Sequence, residues 1–172
     1  MIQVPGEELS ALYRPGGYHP VHLGDTFKDG TYEVVHKLGY GGFSTVWLVK
    51  DKKQGQYASM KILRAEAPTS EVAVLRHIQK NGSALSGSEL IPQLIDEFEH
   101  TGPNGVHRCI ISEVLGPPLS SDIEELYPDE EYPIDIAKRI TSQVACGVKY
   151  LHSCGVVHGG TQFCPCQYLS VS

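Results

Sequence analysis

Three glycines and one lysine carry the clearest chemistry in this sequence. Gly39, Gly41 and Gly42 stand within Leu38-Gly39-Tyr40-Gly41-Gly42-Phe43-Ser44-Thr45-Val46, and Lys61 follows in Tyr57-Ala58-Ser59-Met60-Lys61-Ile62-Leu63. A residue without Cβ lets its backbone N–H approach an anion closely, and an ammonium group is a point charge suited to phosphate oxygens. Together they point to a nucleotide or another phosphate-bearing ligand. Closely spaced glycines also make plain tight turns, so the pattern gains weight only from its surroundings.

Those surroundings exclude two common phosphate sites. A dinucleotide fingerprint and a P-loop both pass from the glycines straight into a helix, whose N-terminus faces the phosphate. Here Ser44 to Val49 is β-branched and aromatic and reads as a strand, and no Gly-Lys-Ser/Thr occurs. The order is a strand from Tyr32 to Leu38, a glycine loop, a second strand, a short turn around Asp51 to Gly55, and a third strand bearing Lys61. A bland three-stranded meander would share that order. The combination of Gly39-x-Gly41-x-Phe43-Ser44-x-Val46 with Ala58-x-x-Lys61 nevertheless resembles the glycine loop and lysine strand of protein kinases.

Length and composition set the limits. The 172 residues suffice for one good core, or for a small domain and part of another, and a complete kinase fold is expected to need considerably more. A net charge of -6 argues against nucleic acid as a main partner. No apolar run reaches the length of a membrane helix, and the first eight residues lack the cationic and apolar regions of a signal peptide. The expected location is therefore cytoplasmic or nuclear. Five cysteines (109, 146, 154, 164 and 166) form no disulfide framework, and Cys164-Pro165-Cys166 lacks a matching second pair, so no metal site is expected.

Residues 1 to 30 are punctuated by Gly and Pro and read as an extended arm, with Tyr18, Val21, Leu23 and Phe27 as apolar anchors; a disordered leader is the alternative. Gly17-Tyr18-His19-Pro20-Val21 with Gly24-Asp25, and then Lys37-Leu38-Gly39-Tyr40-Gly41-x-Phe43-Ser44-Thr45-Val46-Trp47-Leu48, closely resemble the SR-protein kinases, in their fungal form. Those serine/threonine kinases phosphorylate arginine-serine-rich splicing factors. The resemblance covers about residues 13 to 159.

It implies an α+β fold: a kinase-like N-lobe, with an antiparallel sheet and an αC helix, and only the first helices of the C-lobe. The expected divisions are an arm over 1–30, the N-lobe and hinge over 31–116, the start of the C-lobe over 117–159, and a divergent tail over 160–172. The expected cofactor is ATP. Leu38, Gly39, Tyr40, Gly41, Gly42, Phe43, Ser44, Thr45 and Val46 would cover its phosphates, Ala58 and Lys61 would contact it from the third strand, and Glu113 and Leu115 would bind adenine at the hinge. Ser112 would be the gatekeeper. Glu71, in the first turn of a helix expected over Glu71 to Lys80, would pair with Lys61; Glu66 is the alternative partner, and a helix-dipole role for Glu71 suffices without any pairing.

Further on, Leu90 to His100 and Val106 to Ser112 read as a strand pair, and Ser120 to Glu131 as a short helix and loop. Ile136, Ile140, Val144 and Val148 mark a helix running to His152, closed by Gly155, with Val156 to Gly159 as a short strand. By the resemblance, an aspartate and then an asparagine should follow His158-Gly159. Gly160 stands at the aspartate position, so no catalytic residue is assigned, and the magnesium the family uses has no ligands here. The tail from Gly160 has no strand or helix period and reads as out-of-frame or intron-derived sequence. Turnover by these residues alone, and stable packing of the last helix, are accordingly not expected. The expected partner is an arginine-serine-rich protein substrate, with neither nucleic acid nor membrane.

Overall fold

The strand signals resolve into a single antiparallel sheet. Among the described residues of the computed structural model (10–68, 70–82, 87–116 and 131–157), its strands are β1 (Thr26–Phe27), β2 (Tyr32–Gly41), β3 (Ser44–Asp51), β4 (Gln56–Leu63), β5 (Leu94–Gly102) and β6 (Gly105–Ser112), in the order β1-β2-β3-β4-β6-β5. Two α-helices, α1 (Ser70–Gly82) and α2 (Ile134–Ser153), complete the described regular structure, with short 3-10 turns at Ser10–Leu12 and Ser88–Leu90. The architecture is α+β, as the sequence predicts. The chain divides into two compact units, Met1–Val72 with Leu94–Val114 and Ala73–Gln93 with Leu115–Ser172, so α1 passes from one into the other.

In the first unit, alternate residues of each strand build one apolar face. Tyr32 and Val34, Trp47 and Val49, Ala58, Met60 and Ile62, and Cys109 and Ile111 form one cluster with Phe27. The two-residue period of a strand puts this set on one side of the sheet and Val46 and Lys61 on the other. Burial holds the Cys109 thiol up at a pKa of about 12. The glycine stretch is more regular than expected, since β2 continues through Gly41 and only Gly42 and Phe43 turn the chain.

The arm is docked along this unit. Tyr18 and Phe27 are each 2% exposed and Val21 packs on the core, whereas Leu23, also expected as an anchor, is 67% exposed. Leu23 lies in a turn where Gly24 N–H bonds to Val34 O, which leaves its side chain in solvent. His19 is buried in a ring cluster with Phe27, His100 and His107. Burial first, then the neighbouring His100 and His107, push the His19 pKa down to about 4, against a weaker opposing pull from Asp25. His107 Nδ1–H donates to Leu63 O at 2.9 Å.

Two boundaries differ from the sequence expectation in this unit. β5 starts at Leu94 rather than Leu90, because Ser88–Leu90 is a 3-10 turn followed by Pro92. The hairpin turn then narrows to Pro103-Asn104, with Gly102 opposite Gly105.

In the second unit, Ile78 packs with Tyr150 and Cys154, and Ile91, Leu151 and Val156 surround them. His77 Nε2–H donates to Cys154 O at 2.8 Å. The buried side of α2 thus runs through Gly147, Tyr150 and Cys154, while Val144 of the predicted stripe is exposed and Ile136, Ile140 and Val148 are half-buried. Close packing of Tyr150 explains the shift: its hydroxyl lies where a Cβ on Gly82 would stand. Val156 and Val157 have no strand structure. The expected short helix at Ser120 to Glu131 falls, up to residue 130, outside the described residues, as do His158 and Gly160.

Candidate functional site

Strand register decides which candidate residues share a face. Val46 pairs with Lys61 across β3 and β4, Gly39 with Val46, and Gly41 with Ser44. Gly39, Gly41, Ser44, Val46 and Lys61 therefore lie along one side of the sheet near the hairpin tip. Ser59 shares the Lys61 side by the same period.

Three expected site residues lie on the other side: Ala58, Thr45 and Tyr40, which pairs with Thr45. Ala58 is buried in the apolar cluster with Met60 and Ile62, because an odd separation from Lys61 reverses the side chain. Ser59, by the same period, is on the Lys61 side instead. Thr45 is likewise buried, and its hydroxyl accepts from Trp47 Nε1 at 3.0 Å on the core side. Leu38, Tyr40 and Phe43 are exposed, and Lys37 Nζ sits 5.7 Å from the Tyr40 ring centre and 5.5 Å from that of Trp47.

The glycines answer the tight-turn alternative. None of Gly39, Gly41 and Gly42 has a positive φ, and a Cβ on any of them would meet no atom within 4 Å. Neither backbone conformation nor packing within the chain therefore requires glycine at these positions. The open space above them is what a Cβ would take from a ligand approaching the backbone. The N–H groups of Gly42 and Phe43, outside the strand ladder, have no hydrogen-bond partner among the described residues.

Lys61 Nζ donates to both carboxylate oxygens of Glu71, each at 2.7 Å. Ser70–Gly82 forms a helix because apolar residues recur at helical period after Pro68, which places Glu71 in its first turn. The side chains of Lys61 and Glu71 remain 34% and 39% exposed. A pair this open to water is worth only about 0–1 kcal/mol, so its consequence is the fixed position of the ammonium group rather than stability. Glu66 is placed elsewhere: its carboxylate lies over Gly16, and its N–H bonds to Gly16 O.

Ser112 ends β6 opposite Ser59, and Glu113 to Gly116 follow as irregular chain, with Glu113 exposed. Glu113 and Leu115 fall in different units. Open backbone above the glycines, two free N–H groups and a fixed ammonium group fit a polyphosphate. Among the described residues no group of three or more His, Cys, Asp or Glu could hold a metal ion.

Tyr18, Arg64 and Asn104 were not among the sequence candidates. Tyr18 O–H donates to Gly41 O at 2.6 Å, Arg64 Nη1 donates to Gly42 O at 3.2 Å, and Asn104 Nδ2 donates to Tyr18 O at 2.6 Å. These bonds join segments far apart in sequence and leave no local pattern to read.

Comparison with known proteins bears on the family and the fold. The family described as protein kinase domain matches residues 32–159. The chain is 40% identical to serine/threonine-protein kinase SKY1 of Saccharomyces cerevisiae, over 88% of this chain and 22% of that protein. It is 39% identical to protein kinase dsk1 of Schizosaccharomyces pombe, over 88% of this chain and 29% of the relative. With human SRSF protein kinase 3 the identity is 39%, over 85% of this chain and 26% of the relative. The chain thus spans less than a third of the length of each. A crystal structure of a kinase domain superposes with a TM-score of 0.63 at 19% identity, covering 78% of this chain and 38% of the other, a likeness of fold.

Proposed function

The chain belongs to the protein kinase family, and from that premise we propose that its sheet holds ATP as the nucleotide-binding part of a serine/threonine kinase of the SR-protein kinase type. The observation that carries the reading is Lys61 Nζ fixed between both oxygens of Glu71, beside a hairpin whose glycines no internal packing requires. In phosphoryl transfer the protein contributes position and charge rather than covalent chemistry. The hairpin of Gly39 to Val46 covers the phosphates, with the Gly42 and Phe43 N–H groups at its tip turned to them, Lys61 neutralises phosphate oxygens, and Glu71 holds Lys61 in place. By the resemblance, Glu113 would present its backbone to the adenine edge. ATP, when bound, supplies the γ-phosphoryl group.

The acceptor side is different. Gly160 stands where the resemblance calls for the proton-accepting aspartate. These 172 residues are therefore assigned nucleotide binding without transfer, and no role is assigned to magnesium. The acceptor proposed for the family activity is serine in an arginine-serine-rich protein, a reading supported by the name of the relative SRSF protein kinase 3.

Titrating ATP into the purified chain by calorimetry tests the reading. Saturable binding to the wild type, lost in Lys61→Ala, is expected, with no phosphate transferred to an arginine-serine peptide. A wild type that ignores ATP would overturn the binding assignment, and a phosphorylated peptide would overturn the absence of transfer.

A further inference from the structure

Among the described residues of the arm, Tyr18 bonds to the tip of the glycine hairpin. It is almost fully buried, its hydroxyl donates to Gly41 O at 2.6 Å, and Asn104 Nδ2 donates to its own carbonyl at 2.6 Å. The Arg64 guanidinium lies over the Tyr18 ring, 5.7 Å from its centre, and donates to Gly42 O at 3.2 Å. Two successive carbonyls are thus held, Gly41 O by a half-buried bond from Tyr18 and Gly42 O by an exposed one from Arg64.

A trans peptide is planar, with its N–H pointing opposite to its C=O, and there are no cis peptides among the described residues. Holding Gly41 C=O toward Tyr18 therefore turns Gly42 N–H away from it. Holding Gly42 C=O toward Arg64 does the same for Phe43 N–H. These are the two N–H groups that lack any partner among the described residues.

We infer that Tyr18 is a positioning residue for the glycine hairpin: with Arg64 it sets the two peptide planes whose N–H groups face a phosphate-bearing ligand. The role deepens the ATP reading and rests on it. Tyr18 itself touches no ligand. It acts by keeping the hairpin tip in one orientation before the nucleotide arrives, which spares the ordering cost of binding.

Tyr18→Phe removes the hydroxyl and keeps the buried ring. Affinities of the full chain for ATP and for adenosine, which has no phosphate, are compared by calorimetry, and amide order parameters of Gly42 and Phe43 are measured by NMR without ligand. Expected are an ATP affinity about 3- to 10-fold weaker, the scale of one lost hydrogen bond, an unchanged adenosine affinity, and lower order parameters at the tip. Equal ATP affinity in variant and wild type overturns the proposal. A parallel loss for adenosine overturns it too, since that marks general loosening of the sheet. A wild type that binds neither ligand overturns the nucleotide reading and with it the phosphate role, while unchanged order parameters overturn the tether itself.

Discussion

The ring of His19 lies across Gly102 so closely that a Cβ on Gly102 would overlap His19 Nδ1. Gly102 is kept small by the arm lying against it, since its φ is not positive. Gly102→Ala must push the imidazole aside within a buried ring cluster. The expected loss is about 1–3 kcal/mol of unfolding free energy, as for other overpacked sites. A urea titration of variant and wild type measures it, and an unchanged midpoint would mean that the arm is not held there.

The same histidine makes stability depend on pH. Folding lowers its pKa from 6.5 to about 4, chiefly by burial and then through His100 and His107. The unfolded chain takes up a proton near pH 6.5 and the folded chain only near 4. This contribution is therefore fully present above pH 6.5 and is lost as the pH falls toward 4, by at most about 3 kcal/mol. His100, also shifted down by burial and His107, acts in the same sense. Urea midpoints at pH 7.5, 6 and 5 should fall in that order, and less steeply in His19→Asn. Parallel profiles would show that His19 takes no part.

Separating function from stability is easiest at Glu71. Glu71→Gln loses the ion pair but keeps the helix, so the melting temperature should move by no more than about 1 kcal/mol implies. ATP affinity should fall several-fold, because Lys61 is no longer held. A variant that binds ATP as the wild type does would reduce the pair to a surface contact.

Gly41→Ala tests the open hairpin. Its Cβ meets nothing within the chain, and removing a glycine from an ordinary backbone conformation stabilises by about 0.4–1 kcal/mol through the unfolded state. The variant should melt slightly higher yet bind ATP more weakly, since the new methyl group occupies ligand space. A gain in stability with unchanged ATP affinity would place the phosphates elsewhere.

Cys109 should resist alkylation while the chain is folded. Its thiol is fully buried, with its pKa raised to about 12, whereas Cys146 is only half-buried. Mass spectrometry after brief iodoacetamide treatment at pH 8 should find Cys146 modified before Cys109. The reverse order would contradict the packing of β6.

What the sequence made legible was local. Ser44 to Val49 announces its strand by β-branched and aromatic residues, and the spacing after Pro68 announces α1. Side-chain direction was lost where it depends on register: Ala58 and Thr45 sit near the glycines in sequence but one residue out of phase with Lys61 and Val46. Leu23 and Tyr18 are both apolar residues of the arm, and nothing local separates the exposed one from the buried one. The α2 stripe was legible as a helix, yet Tyr150 and Gly147, facing Gly82 and Leu90, decide which side is covered.

The long reach of the arm bonds also orders events in time. The glycine hairpin and the Lys61 strand are complete once residue 63 has left the ribosome, but Gly16 N–H bonds to Asn104 O and Asn104 bonds to Tyr18 O. Contacts between residues 86 apart close late, after the loop entropy between them has been overcome. During synthesis the hairpin therefore exists for some forty residues before Asn104 can bond to Tyr18 O.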